Sequence, residues 1–263
     1  MLTAASPYVL AGLGLAGLLV GRLLNLAIDR LPEGGRLGGA WPRCSDCGRP
    51  LPPVIHVPVV GFTVLRRRCP FCGASLSWRT PVVDFLAGAL FAYVGYRWGI
   101  SAVGLVALLY ISILLVTAAI DMERQLILNS IVYPAALVAL ALAPWGPPGQ
   151  DANGWRAYLS ALEGGALAFG GLLLIYILSR GGVGEGDVKL GAFLGLALGF
   201  RGALVALPLS FVTGGLWAIA LLVSRRKRLH DIIPYGVWME LGSIVSLFWG
   251  EAILDWYRGL FGF

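Results

Sequence analysis

From Ile100 to Ile120 the chain reads ISAVGLVALLYISILLVTAAI, and an acid, Asp121, follows at once. A bilayer's hydrocarbon takes about 20 apolar residues to cross as a helix, and this run holds no charge at all. Seven further apolar runs lie near 8–28, 81–98, 127–144, 159–179, 188–200, 203–223 and 235–255. The composition agrees: 58% of the 263 residues are hydrophobic and 13% are charged, where a soluble domain carries about 25% charged residues. Mean hydropathy is +0.80. The expected fold is an all-α polytopic membrane protein of about eight transmembrane helices. The first run has no basic residue before it and no cleavage site leading into a soluble domain, so it reads as a retained anchor.

Basic loops stay on the cytoplasmic side. With eight alternating spans, one side collects Arg30, Arg36, Arg43, Arg49, Arg66, Arg67, Arg68, Arg79, Arg124, Arg180, Lys189 and the run Arg225-Arg226-Lys227-Arg228. The other holds Arg97, Arg156, Arg201 and Arg258. Both termini are therefore expected outside, with the 29–80 segment in the cytoplasm. The net charge of +6 is mostly topology, and no stacking aromatics interleave with it as a nucleic-acid surface would require. Pro144 to Asn153 reads as an external loop.

The same topology brings two acids to the cytoplasmic face. Asp121 ends the third span, and Asp187 closes the turn Gly181-Gly182-Val183-Gly184-Glu185-Gly186 before the sixth. Carboxylates are costly at membrane depth and mark function there by default. Taken alone, Asp187 also reads as a helix cap. Together the two support one chemistry: adjacent carboxylates cannot both ionise, so one stays protonated while the other takes a proton from water. Gly184 and Gly186 would let the chain bend and a substrate approach. Glu123 and Glu185 are rival acids. Lys189, two positions past Asp187, reads as loop support or as a side chain snorkelling to the interface.

The one sizeable insert holds all four cysteines. Cys44-Ser45-Asp46-Cys47-Gly48 and Cys69-Pro70-Phe71-Cys72-Gly73 are two turns of one repeat, each followed by a leucine, Leu51 and Leu76. Cytoplasmic placement argues against disulfides. Four soft ligands in two such turns suit a closed, structural tetrahedral Zn²⁺ site. His56 reads as a surface residue rather than a fifth ligand.

These features resemble the bacterial type IV prepilin peptidases, bifunctional leader peptidases and N-methyltransferases of the Gly-x-Gly-Asp aspartyl type. Gly21-Arg22-Leu23-Leu24-Asn25-Leu26, with Arg30 and Pro32, looks like the family's Gly-Ser-Phe-Leu-Asn opening. Ser77-Trp78-Arg79-Thr80-Pro81-Val82-Val83-Asp84 is similar to its Arg-Tyr-Pro-x-Val-Glu. Ile120 through Gln125 matches the first catalytic segment, Gly184 through Leu190 the second, and Pro234-Tyr235-Gly236 resembles Pro-Phe-Gly. The chain departs at Leu128-Asn129 for Pro-Asp, His56-Val57-Pro58 for Asn-Ile-Pro, Asp84 for Glu and Val237 for the Pro after Gly236.

The resemblance implies catalytic Asp121 and Asp187, supported by Gly184, Gly186 and Lys189, with Cys44, Cys47, Cys69 and Cys72 on zinc. It implies a protease of the bacterial inner membrane that removes the leader of prepilins or pseudopilins, the substrates of type IV pili and type II secretion. It also implies methylation of the new N-terminus with S-adenosylmethionine. The domains would be 1–30, a first transmembrane helix; 31–80, the insert; and 81–263, the protease bundle. Asp29, Glu33, Asp46 and Asp84 are the acids available to a basic leader. Gly12-Leu13-Gly14-Leu15-Ala16-Gly17 fits a nucleotide-loop spacing but lies within a spanning helix. Gly17 and Gly21 instead read as small-residue helix packing, and the cofactor site stays unassigned. Two other readings fit less of the chain. A presenilin or signal-peptide-peptidase type of intramembrane protease usually has Tyr before its first Asp, where Ile120 stands. A zinc-bearing scaffold or transporter would hold its acids near the midplane.

Overall fold

Each apolar run meets a helix in the computed structural model, which describes residues 6–35, 43, 44, 46–58, 60–146, 154–179, 183–225 and 234–262. Helix α1 spans Pro7–Arg30, α2 Val60–Val64, α3 Arg79–Trp98, α4 Ala102–Arg124, α5 Asn129–Ala141, α6 Trp155–Leu178, α7 Glu185–Val223 and α8 Gly236–Phe261. Among the described residues five helices are long and apolar enough to cross a membrane: α1, α4, α6, α7 and α8. Helix α5 is shorter, and α3 carries Arg79, Asp84 and Arg97 along its length. No strand forms among the described residues; isolated bridges join Arg43 to Pro50 and Arg68 to Ser75. The protein is an all-α polytopic membrane protein.

The chain divides into two compact units, residues 1–119 and 120–263. In the first, α1 lies against α3 because small residues let the backbones touch. A Cβ on Gly17 would sit 2.5 Å from the Ala87 carbonyl oxygen, and one on Gly21 would sit 2.7 Å from the Asp84 Cα. The nucleotide-loop spacing at 12–17 is thus ordinary helix, and Gly17 belongs to its packing seam. Polar groups buried beside this seam satisfy one another. Asn25 Nδ2 donates to Asp84 Oδ1 at 3.0 Å and to the Gly21 and Thr80 carbonyls, while Arg79 pairs with Asp29 and donates to Asn25 Oδ1.

In the second unit α7 packs against α5, α6 and α8. The sequence places two spans between 188 and 223; the structure joins them without a loop. Gly199 alone breaks the helix, at φ 68° and ψ −179°, a conformation that a side chain would oppose. The break frees backbone groups that need partners. The Phe200 N–H donates to Ser160 Oγ of α6 at 3.2 Å, and Ser246 Oγ of α8 donates to the Gly202 carbonyl at 2.8 Å. Helix α6 approaches the break through Gly164, whose Cβ would meet Gly199 backbone at 2.5 Å.

Gly181, Gly182, Arg36, Arg180, the Arg226-Lys227-Arg228 run and most of the Pro144–Asn153 loop lie outside the described residues, as does the His56 side chain.

Candidate active site and metal centre

Asp121 and Asp187 come together in the second unit, both buried, at 5% and 8% exposure. Asp121 sits in the last turn of α4. Its Oδ2 accepts the backbone N–H of Val237, in the first turn of α8, at 3.2 Å. Asp187 is the third residue of α7, and its Oδ2 reaches back to accept the Gly184 N–H at 3.0 Å. That is the acidic half of a capping box, so Asp187 does cap its helix, through one of its two oxygens. Each carboxyl is therefore held by a backbone N–H at a helix start, where unpaired amides and the helix dipole favour negative charge. The two are close enough that the charge of Asp121 acts on Asp187.

The glycines leave room for this. A Cβ on Gly236 would lie 2.8 Å from Asp121 Oδ2 and 3.3 Å from Ile127 Cδ1. A Cβ on Gly186 would lie 3.0 Å from Ile127 Cβ. Ile127, in the non-helical segment between α4 and α5, thus packs against the starts of both α7 and α8. The rival carboxylates are placed otherwise. Glu123 is exposed, and the Glu185 side chain is 71% exposed and paired with Lys189 one turn on. Lys189 also interacts with Tyr133 of α5, tying the first turn of α7 to its neighbour.

Two groups at the site leave no residue-type signal in the sequence: Ile127 and the Val237 amide, which act through shape and backbone.

The insert belongs to the first unit. Its two halves fold alike. Cys44 N–H donates to the Arg49 carbonyl and Gly48 N–H to the Cys44 carbonyl; Cys69 N–H donates to Ala74 and Gly73 N–H to Cys69, all at 2.8 to 3.0 Å. Gly48 and Gly73 take φ of 68° and 76°. All four Sγ atoms lie within 4.8 Å of one another, with Cys44–Cys72 at 3.7 Å and Cys47–Cys69 at 3.9 Å. A tetrahedron with metal–sulfur bonds of about 2.3 Å has edges of about 3.8 Å, which these two edges match, so the cluster is compatible with such an ion. Backbone N–H groups of Phe71 and then Cys72 draw the Cys69 thiol down to about 7. Leu51 and Ile55 are buried with Cys44 and Cys69, and Leu65, Ala74 and Leu76 pack around them. Outside this core, Arg67 lies 4.3 Å over the Trp78 ring.

Fold and site together define a polytopic helical membrane protein with a buried aspartate pair and a four-thiol insert. Residues 15–98, which include the thiols, match the Bacterial Peptidase A24 N-terminal domain. Residues 108–219, which include both aspartates, match the Type IV leader peptidase family. The chain is 30% identical to a prepilin leader peptidase/N-methyltransferase of Bacillus subtilis, over 92% of this chain and 94% of that protein. Proteins of the same name from Pseudomonas putida and Legionella pneumophila are each 28% identical, over 94% of this chain and 93% of theirs. No solved structure matches the chain. The chain belongs to the type IV leader peptidase family, and these relatives carry the prepilin leader peptidase/N-methyltransferase name.

Proposed function

We propose that this protein removes the leader peptide of type IV prepilins or pseudopilins at the cytoplasmic face of the bacterial inner membrane and N-methylates the new N-terminus. The observation that carries the reading is the pairing of Asp121 and Asp187, each buried and each held by a helix-start amide. On this reading the carboxyls share one proton. The ionised member takes a proton from water, the water oxygen attacks the scissile carbonyl, and the neutral member hydrogen-bonds the developing oxyanion. Collapse breaks the C–N bond, and the leaving nitrogen takes the proton. Gly184 and Gly186 shape the α7 start, and Lys189 braces it.

Cys44, Cys47, Cys69 and Cys72 would hold one Zn²⁺ with no open position, so the metal's part is to staple the insert. The chain then divides as a first transmembrane helix, 1–30, a zinc-bearing insert, 31–80, and a protease bundle, 81–263. The positive-inside distribution of Lys and Arg supports a cytoplasmic insert and active site. The methyl donor is S-adenosylmethionine; the glycines at 12–17 do not form its site, since Gly17 is packed against α3. The four-thiol insert and Ile120 before Asp121 disfavour a presenilin-type protease, and paired buried acids held by helix-start amides disfavour an inert scaffold.

The test is cleavage of a prepilin by the purified full chain in detergent beside Asp121→Asn and Asp187→Asn, with methyl transfer from labelled S-adenosylmethionine read on the same product. Both variants should lose cleavage while retaining fold and zinc. Full cleavage by either variant would remove that residue from the pair.

A further inference from the structure

Tyr235 stands just before α8, one residue from Gly236 and two from the amide that holds Asp121. It lies beyond the segment matched to the leader peptidase family. Its ring is fixed: the Phe211 ring of α7 lies 5.6 Å away, and a Cβ on Gly214 would come within 3.3 Å of the Tyr235 Cε2. Its hydroxyl is different. The oxygen is buried and finds no hydrogen-bond partner on the protein among the described residues. Burial, and next the charge of Asp187 acting on it, hold the phenol above the ordinary tyrosine range. A buried hydroxyl without a partner is costly, and packing alone needs only the ring, which a Phe would supply.

We propose that the Tyr235 hydroxyl is a third polar group of the reaction site, a donor reserved for the oxygen of the attacked carbonyl beside Asp187. The proposal rests on the aspartate-pair reading. Asp121 Oδ2 and Asp187 Oδ2 are already engaged by Val237 and Gly184. The remaining carboxyl oxygens are needed for the shared proton and the water. The carbonyl oxygen, as it becomes negative, takes one hydrogen bond from the neutral carboxyl and has a second lone pair open to a donor that is neither carboxyl, and a phenol that keeps its proton suits that part. The bond forms as the charge develops, so it acts in the transition state more than in substrate binding. The family pattern has Phe at this place, so the hydroxyl strengthens a reaction that proceeds without it.

The test uses the full chain in detergent with a prepilin substrate, comparing the parent, Tyr235→Phe and Asp187→Asn. Tyr235→Phe keeps the ring against Phe211, and its melting temperature should match the parent. One neutral hydrogen bond is worth roughly a three- to tenfold change, so kcat should fall by about that factor with KM unchanged. An unchanged kcat in Tyr235→Phe, with Asp187→Asn inactive, would overturn the proposal and leave the aspartate pair standing. A rise in KM with kcat intact would also overturn it, as the hydroxyl would then serve binding. Full activity in Asp187→Asn would instead overturn the reading beneath it.

Discussion

The backbone N–H of Val237 holds Asp121 Oδ2 at 3.2 Å across 116 positions of sequence. Proline at 237 would remove that N–H, and the first turn of a helix tolerates proline. On the aspartate-pair reading the Asp121 carboxyl then loses the bond that orients it, and kcat should fall roughly three- to tenfold. Cleavage kinetics for Val237→Pro beside a thermal melt check this, and an unchanged kcat refutes it.

Gly236→Ala should be worse for activity than for stability. The new Cβ would meet Asp121 Oδ2 at 2.8 Å, and the carboxyl must turn or α8 must shift. On the aspartate-pair reading this displaces a reacting group, and about 1 Å of misplacement costs roughly a hundredfold in rate. Cleavage kinetics and a thermal melt on the same preparation separate the two effects.

On the aspartate-pair reading, Asp187 carries two tasks that substitution can divide. Asp187→Asn keeps an oxygen to accept the Gly184 N–H, so the fold should hold while cleavage is lost. Asp187→Ala loses the cap as well, and should be less stable than the Asn variant by about 1 kcal/mol. Equal melting temperatures for the two would show that the cap adds nothing.

The insert should carry one zinc per chain. Removing a thiolate from a closed four-thiolate site breaks its tetrahedron. Cys69→Ser should therefore release the metal and raise amide exchange over residues 43–76. Metal analysis beside hydrogen exchange decides it, and full zinc occupancy in Cys69→Ser would exclude the four-cysteine site.

Much of the fold was legible because a bilayer reads composition. Runs such as 100–120 and 159–179 can hardly be anything but buried helix, and α4 and α6 lie over them. The acids were legible for the same reason: a charge at the end of an apolar run stands out. The Cys-x-x-Cys repeat announced two like turns, and Gly48 and Gly73 bear equivalent angles. The join within α7 was not legible, because a single residue at positive φ redirects the chain where composition suggests a loop. Nor were Ile127 and Val237: one contributes bulk and the other an amide, and only tertiary folding brings them to the acids. Asp29 and Asp84 were available to a basic leader by charge. The structure buries Asp84 against Asn25, while Asp29 pairs with Arg79 at an exposed position.

The order of synthesis matters for a site assembled this way. Asp121 and Asp187 are both made well before residue 236, yet the amide that orients Asp121 belongs to the last helix. A nascent chain halted before α8 would own both acids and lack the brace for one of them. The polar setting of Asp121 is therefore the last part of this site to be completed, since it waits on the C-terminal helix.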